Sequence, residues 1–145
     1  RGGGPHIRVF DSMGEAIDGG GFFAYNETMR EGVNLACGDL TGDERAELVT
    51  LPAAGGGPHV RVWSWDDGEQ LEENFFAFHM DDRAGLVGVV SKRELIVAQQ
   101  FTSTPTVKSL VIHNSLTTTS EEIISIDGLG VESLAVFEEI VYLST

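Results

Sequence analysis

From Asp39 to Glu47 the chain reads Asp-Leu-Thr-Gly-Asp-Glu-Arg-Ala-Glu, which places oxygen-bearing side chains on Asp39, Thr41, Asp43 and Glu47. Oxygen at alternate positions of a tight loop is chemistry for a hard cation. Calcium takes about six to eight oxygen ligands, and a turn brings every second side chain toward one point. The three carboxylates would neutralise such an ion. The same residues also suit an acidic hairpin loop without metal, held by side-chain acceptors on nearby backbone amides. Elsewhere the corresponding gaps are short: Ser91, Lys92, Arg93 and Glu94 separate Val90 from Leu95, and Glu138 and Glu139 separate Phe137 from Ile140. Such hairpins have no room for a metal cage, so at most one calcium is expected.

Other residues with chemical potential carry less. The phrase Gly-Gly-Gly-Pro-His occurs at Gly2 and again at Gly55. Neither copy leads into a helix or ends in Gly-Lys-Ser/Thr, so a close-approach turn fits better than a phosphate cradle. Pro5 and Pro58 fix the backbone as it leaves that turn. His6 and His59 hold equivalent places, with Arg8 and Arg61 two residues on. They either line a binding surface or ligand a transition metal, or they bond loop carbonyls between sheets. His79 and His113 lie near strand ends without acidic partners at a telling spacing. Trp63, Trp65, Phe75, Phe76 and Phe78 suit either a sugar-stacking platform or an inter-sheet core. Nucleophile-elbow and zinc-protease motifs are absent, and no two carboxylates stand out as a glycosidase pair. Cys37, the one cysteine, excludes an internal disulfide and a cysteine zinc site, and its apolar neighbours mark it as a small buried hydrophobe.

Charge narrows the partners. A net charge of −14 repels nucleic acid and anionic membrane, and leaves cations, basic proteins and uncharged glycans. No apolar run approaches the roughly 18 residues of a membrane helix, so no membrane insertion is expected. The chain opens on Arg1 without an initiating Met, which reads as a processed product or a piece of something longer.

The elements that must position these groups follow from an internal repeat. Gly-Gly-Gly-Pro-His-Ile-Arg-Val-Phe from Gly2 returns as Gly-Gly-Gly-Pro-His-Val-Arg-Val-Trp from Gly55, an offset of 53. At that offset Phe22-Phe23-Ala24-Tyr25 matches Phe75-Phe76-Ala77-Phe78, and Gly32-Val33 matches Gly85-Leu86. A third, eroded copy runs through Pro105, the isoleucines of 123–126 and Gly130. The units span residues 2–54, 55–101 and 102–145 of a single domain, 1–145. Periods of this length belong to propellers and solenoids, whose units cannot bury their apolar faces alone.

Short β-rich runs bounded by turn residues fill each unit: 33–37, 47–51, 59–63, 74–78, 86–90, 95–98, 107–113, 123–126, 134–137 and 140–143. Many are continuously apolar, as strands covered on both faces are. The gap at 26–32 is too short and too Gly-flanked for a helix. With the first copies of the Pro-His phrase and of the aromatic run as two more strands, the order is two, four, four and two, which predicts an all-β fold of four-stranded antiparallel propeller blades cut mid-blade at both ends. Three blades' worth is fewer than the roughly four to eight that close a propeller, so the segment reads as part of a larger one.

The Gly55 phrase, preceded by Gly38-Asp39-Leu40-Thr41-Gly42-Asp43-Glu44-Arg45-Ala46-Glu47-Leu48-Val49-Thr50, resembles the FG-GAP or integrin-alpha-like repeats of bacterial cell-surface proteins. The resemblance covers residues 2–100 well and 101–145 weakly. It implies an extracellular or cell-surface propeller, non-enzymatic, structural or adhesive, with calcium as a structural ion and other blades, a protein or a glycan as partners. Carried onto this loop, it implies calcium ligands from the side chains of Asp39, Thr41, Asp43 and Glu47 and from the backbone carbonyl of Arg45. Thr41 stands where the family has Asp or Asn, Glu44 where it has Gly, and Glu47 where Asp is commoner. A weak site follows, with a dissociation constant on the order of 10⁻⁴ to 10⁻³ M. A carbohydrate-binding propeller using exposed Trp63 or Trp65 is the alternative.

Overall fold

The computed structural model describes residues 3–17, 21–66, 69–102, 106–113, 117–125, 133–137 and 140–144, with side chains placed within 3–17, 21–64, 74–102 and 106–107. Its elements are strands throughout: β1 (His6–Ile7), β2 (Phe22–Phe23), β3 (Val33–Gly38), β4 (Glu47–Pro52), β5 (His59–Asp66), β6 (Glu69–Phe76), β7 (Leu86–Ser91), β8 (Glu94–Gln99), β9 (Thr106–His113), β10 (Thr117–Ser125), β11 (Ser133–Phe137) and β12 (Ile140–Ser144). They form the pair β1-β2, the meanders β3-β4-β5-β6 and β7-β8-β9-β10, and the pair β11-β12, every neighbour antiparallel. The all-β class and the two-four-four-two count match the sequence reading, and the sheets do not close on themselves.

Turn chemistry explains the meanders. Between β7 and β8, Ser91 pairs with Glu94, leaving a two-residue turn with φ of 48° at Lys92 and 67° at Arg93. Positive φ at both central positions matches the strand twist, though neither residue is one that favours it. Strand limits differ from expectation on the outer strands. β6 starts at Glu69 rather than Asn74, and β10 at Thr117 rather than at 123. Their first halves, Glu-Gln-Leu-Glu-Glu and Thr-Thr-Thr-Ser-Glu-Glu, are polar, as an edge strand at the rim can be, and an apolar-pattern criterion passes over them.

The first meander is sandwiched. On one face of β3–β6, Ala36, Val49, Leu51, Val60 and Val62 pack with Leu86, Leu95 and Val97 of the following sheet. On the other, Trp63 and Leu48 meet Ile7, Val9, Phe22 and Tyr25 of the preceding pair. Alternation along β4 and β5 produces this split, since successive side chains point to opposite faces. The first strands of successive sheets lie side by side, β3 against β7 and β7 against β11.

The 53-residue offset recurs in the backbone pairing around the repeated phrase. His6 pairs with Phe23 and Ile7 with Phe22, as His59 pairs with Phe76 and Val60 with Phe75. The amide of Ala24 donates to the Pro5 carbonyl, and that of Ala77 to the Pro58 carbonyl. In the connection that follows, Arg30 donates to the carbonyls of Glu27 and Met29, and Arg83 to those of Met80 and Asp82. Gly32 and Gly85 end these connections with φ of 91° and 77°. At Gly85 a Cβ would overlap the Ala54 backbone, so a side chain is excluded sterically as well as by dihedral.

Candidate functional site

The loop joining β3 to β4 carries the predicted cation ligands. Glu47, the first residue of β4, is 2% exposed, and its Oε2 accepts from the amides of Leu40 (2.8 Å) and Thr41 (3.2 Å). Asp39 caps the amides of Gly42 through Oδ1 and Glu44 through Oδ2 (3.1 Å). Asp43 Oδ1 accepts from the amide of Arg45 at 2.9 Å. Thr41 gives its backbone carbonyl to Arg93 Nη2 at 2.6 Å. The backbone that these bonds hold is folded tightly, with φ of 83° at Gly42 and 67° at Glu44. Leu40, the apolar residue inside the loop's polar run, anchors it in the core.

The sequence brings Asp39, Thr41, Asp43, Arg45 and Glu47 into one loop, and the structure keeps them there. It turns their carboxylates onto amides rather than onto a common point. Among the described residues, no group of three or more His, Cys, Asp or Glu side chains is placed to share an ion. In this arrangement Glu47 Oε2, both Asp39 oxygens and Asp43 Oδ1 serve the loop's own backbone amides. A cation is nonetheless at hand: the Arg93 guanidinium lies over Gly42, close enough that a Cβ there would strike it. Sequence reasoning passed over Arg93, because its hairpin is too short to be a site. Only the repeat, which stacks the β7–β8 turn beside the β3–β4 loop, would have found it.

The aromatic candidates divide. Trp63 is buried, donates through Nε1 to Thr50 Oγ1 at 3.0 Å, and lies 4.5 Å from the Phe22 ring. An exposed Trp63 stacking on sugar is thus corrected: Ile7 and Phe22 of the preceding pair of strands help to cover it, which a single-strand pattern does not show. Phe75 and Phe78 pack against the core, and the Trp65 side chain lies outside the described residues. Phe76 is exposed and stacks on His59 at 5.0 Å, with Asn74 Oδ1 3.0 Å from His59 Nε2. His6 faces Phe23 at the same 5.0 Å one repeat earlier. Arg61 Nη1 donates to the Ala24 carbonyl at 2.8 Å, tying one sheet to the previous one. The Tyr25 hydroxyl sits 2.7 Å from the carbonyls of both Thr50 and His59. His79 pairs at 3.6 Å with Asp81, both well exposed, and the His113 side chain is outside the described residues.

Cys37, expected to be buried, is exposed. It borders a largely apolar cleft of about 330 Å³ lined by Val9, Ile17, Cys37, Ala46, Glu47 and Leu48. Comparison of the chain with protein-family models, with curated proteins and with solved structures finds no match.

Proposed function

We propose that the chain is a non-catalytic β-propeller module, structural or adhesive, displayed outside the cell, in which each meander is a blade. One observation carries this reading. Units 53 residues apart repeat their strand pairing and their connections, and the first strands β3, β7 and β11 lie in a row, as inner strands do around a propeller axis. Among the described residues, the buried polar side chains Glu47 and Thr50 serve the fold's own hydrogen bonds. The extracellular placement rests on the likeness to FG-GAP repeats. Surface biotinylation of intact source cells tests it: the chain should be labelled without lysis, and labelling only after lysis overturns the placement.

The β3–β4 loop enters this proposal as a self-capped hairpin. Calcium at Asp39, Thr41, Asp43, Glu47 and the Arg45 carbonyl would draw the carboxylates toward a common point, in competition with the amide bonds they make here. Thermal melting in millimolar calcium against chelator measures that exchange. The self-capped loop predicts an unchanged midpoint, and a rise in calcium restores the metal site.

A further inference from the structure

The connection from β2 to β3 carries Asn26-Glu27-Thr28, and all three residues are exposed. The chain turns there, with the amide of Met29 donating to the Asn26 carbonyl at 2.9 Å. The Asn26 side chain takes part through its oxygen alone. Oδ1 accepts from the Thr28 amide at 3.0 Å and from the Thr28 hydroxyl at 2.7 Å. Such a turn, closed by an Asn side chain on the backbone two residues on, is stable without help from the rest of the fold. Nδ2 donates to no described residue, so the nitrogen of this carboxamide faces solvent unengaged.

The repeat shows how much of this the turn itself needs. His79 stands 53 residues on, in the connection from β6 to β7. The amide of Asp82 donates to its carbonyl at 2.8 Å, and the amide of Asp81 lies 3.4 Å from its Nδ1. Asn26 and His79 thus offer the same two acceptors to equivalent amides. The turn asks for an acceptor, and a histidine ring supplies it as well as a carboxamide does. Neither an amide nitrogen nor a hydroxyl is required, for Asp81 stands in the later copy where Thr28 stands in the earlier one. The first unit adds both of those groups on open surface.

Asn-x-Ser/Thr, with x other than Pro, is the acceptor pattern for N-linked sugar. Asn34, Asn74 and Asn114 are followed two residues on by Ala36, Phe76 and Leu116, so the pattern falls on Asn26 alone. We propose that Asn26 is a glycosylation site, its donor a sugar activated as a diphosphate ester. A bond forms between Nδ2 and the anomeric carbon of the sugar. The anomeric C–O bond breaks, its electron pair leaves on the diphosphate, and one Nδ2 proton passes to a base of the transferase. The two donors on Oδ1 stabilise the negative charge that gathers there as the proton departs. Exposure of Asn26, Glu27 and Thr28 leaves room for the sugar outside the sheets. A sugar on this connection suits a chain displayed outside the cell, and the assignment rests on that reading.

Mass spectrometry of the chain captured by surface biotinylation of intact source cells tests it. Trypsin releases residues 9–30, whose one asparagine is Asn26, and electron-transfer fragmentation places any added mass on a single residue. The expected result is a sugar on Asn26: a single hexose points to a nucleoside-diphosphate donor, an oligosaccharide to a lipid-linked one. Thr28→Ala should abolish the addition although Asn26 remains, and Thr28→Ser should retain it. A surface-labelled chain with Asn26 bare, with its sugar on Ser12 or Thr28 instead, or with an addition that survives Thr28→Ala overturns the site and leaves the placement standing. Labelling only after lysis overturns the placement and takes the site with it.

Discussion

Glu47 shows how a residue chosen for one chemistry serves another. Its carboxylate is buried at the base of the loop, and both of its bonds go to backbone amides. Glu47→Ala leaves the Leu40 and Thr41 amides without their acceptor and should destabilise by about 2–3 kcal/mol, whereas Glu47→Gln keeps an acceptor oxygen and should cost less. Urea unfolding of the two variants separates these outcomes. Trp63→Phe removes the donor to Thr50 while keeping most of the apolar contact, and an unfolding free energy lower by about 1 kcal/mol is expected. The acids of the loop were legible in sequence because their spacing is local. Their orientation was not, since a carboxylate facing a cation and one facing an amide occupy the same positions in the chain.

At the scale of elements, the glycines at equal dihedral angles differ in what surrounds them. Gly14 has φ of 85° and open space where a Cβ would go, while at Gly85, φ 77°, a Cβ would overlap the Ala54 backbone. Gly14→Ala should therefore cost only the dihedral term of about 1–2 kcal/mol. Gly85→Ala adds displacement of the connection between sheets and should lower the melting midpoint much further, a ranking that thermal denaturation checks directly. The β7–β8 hairpin offers the opposite sign. Asn at Lys92, where φ is 48°, relieves strain and should raise stability by about 0.5–1 kcal/mol, leaving Arg93 on the Thr41 carbonyl. Inner strands were readable from continuous Val, Leu and Ile. The polar starts of β6 and β10 were not, because an edge strand is fixed by its partner's backbone rather than by its own apolar pattern.

For the whole molecule, the repeat in the sequence foretold the grouping of the described strands, since His6 and His59 stand at equivalent places in their sheets. Which faces remain uncovered required the coordinates, for Leu35 and Cys37 lie in an apolar run that reads as core. The connections from sheet to sheet also carry a consequence of their own. With Arg30 and Arg83 gripping equivalent carbonyls, one kind of joint serves two successive junctions. Such a coupling is standardised: splicing 53 residues in or out between matching joints regenerates the same seam, so lineages can lengthen or shorten the array without redesigning any fitting.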